Sequence, residues 1–175
     1  MSYFTRLTRT SFRRDSALVT VSRVSGDNAD QPYEGSFRGK THRFALRVYF
    51  EDTDTAGIVY YANYLRFMER ARSDMLRAMG VDQRAALDSG EGVYAVAEAQ
   101  IKYRRPAKLD DALLVVSRVR EVRAASCVIH QRVMRGDEVL TDAIVTAAFL
   151  TPEGRPRRQP RHWVEKFERL IEEVE

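Results

Sequence analysis

The stretch YYANYLRFMERARSDMLRAM, residues 60–79, decides the fold. At 100° per residue, Tyr64, Leu65, Phe67, Met68, Ala71, Met75, Leu76 and Met79 fill about half of a helical wheel, and Gly80 stands where a helix would end. So wide an apolar face predicts a helix that is largely enclosed. One enclosed helix needs a sheet to enclose it.

The flanking sequence supplies that sheet. From His42 onward, Phe44, Leu46, Val48 and Phe50 alternate with Ala45, Arg47 and Tyr49, the period of two of a half-buried strand. After a connection over 82–92, alternation returns in four stretches, 93–104, 112–123, 126–135 and 139–150. Short connections at 106–111 and 123–125 and the hairpin signal Gly136-Asp137 predict that consecutive strands pair antiparallel in a twisted meander. Val96, Leu113, Val115, Ile129, Val133, Ile144 and Val145 are expected to face the helix, each stabilising by about 1.5 to 3 kcal/mol before chain entropy is counted. Beyond a turn at 152–156, Trp163, Phe167, Leu170, Ile171 and Val174 recur at helical spacing and predict a short C-terminal helix. The expected class is α+β, a curved antiparallel sheet around one long central helix. An open sheet edge must be paired or protected, which predicts a dimer joined edge to edge.

Composition narrows the function. The chain has 175 residues, 44% hydrophobic and 31% charged, which suits one domain with a real core. The longest apolar candidate, 143–150, contains Thr146 and falls far short of the roughly 20 residues of a bilayer crossing; a transmembrane segment is not expected. A lone Cys127 cannot close an intrachain disulfide or hold a structural zinc, so the chain reads as cytoplasmic. The net charge of +4 resides in residues 1–43, with eight basic and four acidic groups, leaving 21 of each sign in the rest. A neutral body offers little footprint for a phosphate backbone, which argues against nucleic acid as a partner. Residues 1–14 carry Arg6, Arg9, Arg13 and Arg14 without an acid, and 26–39 is polar. Residues 1–42 therefore read as a disordered basic extension before a domain over 43–175; the composition also suits an organelle transit peptide, but not a secretory signal.

The densest polar cluster is Glu51, Asp52 and Asp54, between the first strand and the enclosed helix. A solvated turn with an Asp capping the helix is one reading. The flanking Tyr49, Phe50, Tyr60, Tyr61 and Tyr64 point instead to a semi-apolar pocket. Calcium fails: Asp52, Asp54 and Gly57 fit positions 1, 3 and 6 of a binding loop, but Ala56 and Asn63 stand at positions 5 and 12. No metal is expected. After Gly57 the chain enters the helix, whose first N–H groups form an anion site that would polarise a carbonyl oxygen. A carboxylate at Asp54, on the other side of that carbonyl, would attack the carbon or deprotonate a water that attacks. Thioesters suit this arrangement, because sulfur donates poorly into the carbonyl and a thiolate leaves readily. Cys127 and His130, three apart on a strand, should face opposite sides of the sheet; His42, His130 and His162 are scattered, and no G-x-S-x-G elbow exists. Glu69 and Arg72 are expected to form an ion pair at the dimer seam.

Residues 48–72, VYFEDTDTAGIVYYANYLRFMERAR, resemble the signature of the 4-hydroxybenzoyl-CoA thioesterase family, most of all its tol-pal system-associated acyl-CoA thioesterase branch. The likeness continues through IKYRRPA at 101–107 and GRP at 154–156, covering residue 43 to about residue 165. It implies a hotdog fold in homodimers that often pair into homotetramers, and an acyl-CoA thioesterase that needs no cofactor beyond the coenzyme A of its substrate. It implies Asp54 as the reactive carboxylate with Asp52 as a supporting charge. The tol-pal branch usually carries histidine seven residues after the reactive Asp; here Tyr61 stands there, as in the hydroxybenzoyl branch, whose backbone N–H is the carbonyl polariser. Tyr60 and Tyr64 are candidates for the acyl pocket, and Arg104, Arg123, Arg157 and Arg158 for coenzyme A phosphates by family analogy. Acyl carrier protein is a further candidate partner. The alternative is a non-catalytic acyl-thioester or carrier-protein binding module on the same scaffold, which the intact Asp-Thr-Asp turn argues against. A hotdog dehydratase would need a histidine on or near the helix, and none stands between His42 and His130.

Overall fold

A computed structural model describes residues 32–171 and shows six strands and three helices there, of which the strand Ser36–Arg38 and the helix Gln83–Asp88 are not expected from the patterning. The elements run β1 (Ser36–Arg38), β2 (Thr41–Arg47), a 3₁₀ turn (Phe50–Asp52), α1 (Asn63–Ala78), α2 (Gln83–Asp88), β3 (Val93–Tyr103), β4 (Ala112–Arg123), β5 (Ser126–Arg135), β6 (Glu138–Leu150) and α3 (Arg161–Glu168). All strand pairs are antiparallel, in the order β1-β2-β4-β5-β6-β3. One long helix lies against one face of the sheet, the hotdog arrangement. Among the described residues no helix is long and apolar enough to cross a membrane.

The apolar arc of α1 does what its width requires. Tyr64, Phe67, Met68 and Ala71 are buried against Leu113, Val115, Val133, Leu140, Ala143 and Val145 of the sheet. One turn on, Met75 and Leu76 join Val119, Cys127, Ile129 and Phe149, and α3 closes this second cluster with Trp163 and Phe167. Gly80 at φ 67° ends the helix, a conformation that costs a residue with a Cβ more than glycine. Gln131 is fully buried between sheet and helix, donating to the Met68 carbonyl and the Ser117 hydroxyl and accepting from Arg72 at 2.7 Å. Arg72 also pairs with Glu69, the ion pair expected from the sequence.

Several expectations are corrected. The domain begins before residue 43: β1 and β2 form a hairpin across Gly39-Lys40, with Gly39 at φ 58°, and Thr41 and His42 are buried. His42 Nε2 lies 2.9 Å from the buried Asp74 of α1, and the Gly35 N–H donates to the same carboxylate oxygen at 2.9 Å, so polar ties fasten this hairpin to the helix. The expectations for residues 1–31 lie outside the described residues. The sheet is not a simple meander, because β3 pairs with β6 and β2 with β4. The chain leaves β3 through Pro106 and Asp110, the latter at φ 66°, and crosses one end of the sheet to reach β4; that path replaces a tight hairpin. The 82–92 connection contains α2, started by Asp82, whose side chain accepts from the Ala85 N–H. Ile144 faces away from the helix, since its neighbours Ala143 and Val145 point inward and successive strand residues alternate. Val96, at a bulge in the edge strand β3, is 48% exposed. Cys127 and His130 do face opposite sides: Cys127 is in the core, and His130 lies 2.8 Å from Asp142 on the outer face.

Candidate active site

Between β2 and α1 the chain makes a closed loop. Thr53 bridges Val59, the Asp54 N–H donates to the Ile58 carbonyl at 2.9 Å, and the Gly57 N–H donates to the Asp54 carbonyl at 3.0 Å. Gly57 at φ 72° permits this tight return. The two acids in the loop are placed differently. Asp52 is buried, and its carboxylate accepts from the Tyr49 N–H at 2.8 Å, so it fastens the entry to the loop. Asp54 is partly exposed; one carboxylate oxygen accepts from the Ala56 N–H at 2.9 Å, and the other has no hydrogen-bond partner among the described residues. Glu51 is exposed, Asp52 is buried, and Asp54 lies between them with one carboxylate oxygen free of a hydrogen-bond partner among the described residues.

The helix begins three residues later than the apolar pattern predicts. The Tyr60 N–H is committed to the Asp52 carbonyl at 2.9 Å, which holds residue 60 against the acid loop, and α1 starts at Asn63 after a turn closed by the Asn63 N–H on the Tyr60 carbonyl at 2.8 Å. Tyr61 occupies the corner of that turn. Its backbone N–H has no acceptor among the described residues, and its side chain is 59% exposed. A carboxylate oxygen and an N–H without partners among the described residues thus belong to one loop-to-helix junction.

Aromatic rings wall this junction. Tyr60 and Tyr61 lie with ring centroids 4.7 Å apart, and Tyr103 meets Tyr61 edge-on at 6.2 Å. The Tyr61 hydroxyl beside it, ahead of burial and the charge of Asp54, pushes the Tyr60 phenol above its ordinary pKa. Burial likewise raises the phenols of Tyr64 and Tyr103, which remain neutral at physiological pH. Tyr64 is only 2% exposed, and its hydroxyl accepts from the Ala107 N–H at 2.8 Å. It braces the aromatic cluster from behind, with its hydroxyl already engaged.

The four arginines do not converge. Arg104 follows Tyr103 at the same end of the sheet as the loop and reaches Asp142 at 3.5 Å. Arg123 forms a two-pronged pair with Glu121, and Arg157 donates to the carbonyls of Gly90 and Glu91. Arg157 and Gln159 bond to the chain at Phe149 and Ala124, which sets Arg123, Arg157 and Arg158 at the other end, roughly 25 Å away at 3.3 Å per strand residue. Asn63 and Tyr103 were present in the motifs without an assigned role. Asn63 donates its side-chain N–H to the Asp52 carbonyl at 2.9 Å, and the Tyr103 hydroxyl donates to the Tyr61 carbonyl at 3.2 Å. Among the described residues no group of three or more His, Cys, Asp or Glu side chains is placed to hold a metal ion.

Comparison with known proteins shows the family. The profile of the Thioesterase superfamily matches residues 56–141, from within the acid loop to β6. The chain is 43% identical over 105 residues to the acyl-CoA thioesterase YbgC of Haemophilus influenzae, spanning 60% of this chain and 77% of that protein. It is 35% identical over 127 residues to the acyl-CoA thioester hydrolase YbgC of Escherichia coli O6:H1, spanning 71% of this chain and 94% of that protein. Among solved structures, a probable thioesterase from Bartonella henselae superposes with a TM-score of 0.65 at 37% identity, covering 69% of this chain and 99% of the other. A 1,4-dihydroxy-2-naphthoyl-CoA thioesterase from Synechocystis superposes with a TM-score of 0.68 at 22% identity, over 73% and 95% of the two chains, and shares the fold. From the loop geometry, the strand order and these likenesses together, the chain belongs to the thioesterase superfamily that its 48–72 motif resembles, the 4-hydroxybenzoyl-CoA thioesterase family.

Proposed function

We propose that the protein is an acyl-CoA thioesterase that hydrolyses a thioester to a carboxylic acid and free coenzyme A, with Asp54 as the reactive carboxylate and the Tyr61 N–H as the carbonyl donor. The observation that carries this reading is an Asp54 carboxylate oxygen without a hydrogen-bond partner and a Tyr61 N–H without an acceptor at one loop-to-helix junction, among the described residues. With the thioester carbonyl oxygen on the Tyr61 N–H, the carbonyl carbon faces Asp54. In one route Asp54 takes a proton from a water that attacks the carbon, the tetrahedral oxyanion rests on the N–H, the C–S bond breaks, and the proton on Asp54 passes to the leaving thiolate. In the other the carboxylate itself attacks, and the C–S bond breaks to leave an aspartyl-acyl anhydride and a thiolate. A water then hydrolyses the anhydride, which frees the carboxylic acid, restores Asp54 and supplies the proton that neutralises the thiolate. Both routes need the same placement. The acyl-CoA activity of the two YbgC relatives supports the substrate class. Tyr60 and Tyr61 have exposed rings that would meet the acyl group, and of the four candidate arginines Arg104, at this end of the sheet, is the one this reading assigns to a coenzyme A phosphate. The test is free-thiol release by the purified wild type across acyl-CoAs of graded chain length. Saturable release supports the reading, and tight binding of every thioester without thiol release favours the binding-module alternative.

The same reading includes a homodimer. β3 is an edge strand of eleven residues, exposed along most of its length, with Val96 and Tyr103 open. An uncovered strand of that length is a template for a second copy. Sedimentation at micromolar concentration should give at least twice the chain mass, and a strictly monomeric mass would refute the assembly.

A further inference from the structure

The reactive carboxylate and the N–H donor belong to different chain segments. Asp54 rides on a loop that closes on itself between Thr53 and Val59, whereas Tyr61 stands in the turn that leads into α1. The two segments meet at the Asp52 carbonyl, which accepts the Tyr60 N–H and the Asn63 side-chain N–H, both at 2.9 Å. Asn63 also donates its backbone N–H to the Tyr60 carbonyl at 2.8 Å, so this buried residue grips the acid loop and the donor turn at once. From the opposite side the Tyr103 hydroxyl donates to the Tyr61 carbonyl at 3.2 Å, while its ring packs edge-on against Tyr61 and Tyr64.

We infer that Asn63 and Tyr103 are positioning residues that aim the Tyr61 N–H across the gap toward Asp54; this inference rests on the reading of those two groups as the reacting pair. The Tyr61 N–H and carbonyl lie on the two peptide units that flank one α-carbon. Pinning the carbonyl from β3 and the preceding turn from Asn63 therefore leaves the N–H one direction. Neither side chain needs to touch the thioester. The chemistry required at residue 63 is specific: a short side chain that donates to a carbonyl from inside the first turn of a helix. Asn63→Leu keeps the volume and removes the donor. Tyr103→Phe removes only a hydroxyl from a half-exposed ring and leaves the core untouched. A misplacement of about 1 Å at a reacting centre costs about 10²-fold, and the strength of a carbonyl donor depends on its aim.

The experiment measures thiol release and thermal unfolding for the wild type, Asn63→Leu, Tyr103→Phe, Asp54→Asn and the double variant Asp54→Asn/Asn63→Leu. The concentration of intact sites is set by titration with a non-hydrolysable thioether analogue of acyl-CoA. Per titrated site, kcat should fall about 10- to 100-fold in Asn63→Leu and about 3- to 10-fold in Tyr103→Phe, with KM within about threefold of the wild type. In the Asp54→Asn background the Asn63→Leu loss should shrink, because the aimed partner is already gone; loss of folded protein alone would lower both backgrounds by the same factor. A folded Asn63→Leu or Tyr103→Phe with kcat within twofold of the wild type overturns the inference, as does an undiminished loss in the Asp54→Asn background. Full turnover by Asp54→Asn would instead sink the reading on which the inference rests.

Discussion

Asp54→Asn is expected to yield a folded protein that binds acyl-CoA as the wild type does and turns it over about 10² to 10⁴ times more slowly. The substitution is close to isosteric, and the asparagine oxygen can still accept from the Ala56 N–H, so the loop should keep its closure. What disappears is the charge and the basic lone pair on the oxygen that has no hydrogen-bond partner among the described residues. Neither route at the carbonyl carbon survives that loss: an amide is a poor nucleophile and does not accept a water proton. Turnover and dissociation constant should therefore separate. Equal thiol release by the variant and the wild type would remove Asp54 from the mechanism.

Tyr61→Pro carries the second largest expected effect, because only proline deletes a backbone N–H. Loss of one oxyanion donor costs about 10² to 10³ in kcat, and Tyr61→Pro should fall in that range. Residue 61 is the second residue of the turn that the Asn63 N–H closes on the Tyr60 carbonyl, the turn position that favours proline. Tyr61→Phe is the matched control. It keeps the N–H and the carbonyl that Tyr103 holds, and loses only the hydroxyl of an exposed ring, so its kcat should stay within about tenfold of the wild type. If the two variants lose the same activity while both remain folded, the side chain and not the N–H carries the effect.

These effects concentrate in a part of the chain that was readable in advance, and the reason is physical. The apolar arc of 60–79 and the alternation of the strands record burial, and burial leaves a period in the sequence. The enclosed helix, the antiparallel sheet and α3 followed directly. Strand order leaves no such period: nothing in the alternation of 93–104 tells whether β3 pairs with β4 or crosses to β6, and the crossing is set by the loop through Pro106 and Asp110. The hairpin at Gly39-Lys40 lay hidden in a polar stretch, because its fastening is polar, through Gly35, His42 and Asp74. Ile144 faces outward beside the buried Val145, as the alternation of that strand requires and contrary to the expectation that both face the helix.

At the site, the motif pointed to Asp54 and Tyr61 and the structure supplies their surroundings. The crowding of three carboxylates resolves because each has its own environment: Asp52 is buried on the Tyr49 N–H, Glu51 is exposed, and Asp54 lies between. Tyr64 was legible as an aromatic near the pocket, but only coordinates reveal that its hydroxyl is spent on the Ala107 N–H. Arg123, Arg157 and Arg158 match by residue type, yet they stand at the far end of the sheet from the loop, and Arg123 and Arg157 already have partners there. Asn63 and Tyr103 carry no signature of role in a sequence, since a carboxamide and a phenol at those positions read equally well as packing.

The most direct measurement is a crystal structure of Asp54→Asn with an uncleaved acyl-CoA. The account predicts the thioester oxygen about 2.7 to 3.1 Å from the Tyr61 nitrogen, with the residue 54 side chain, or one water held by it, about 3 to 3.5 Å from the carbonyl carbon on the opposite side. A thioester bound with its carbonyl turned away from both groups, in every copy of the assembly, would contradict it.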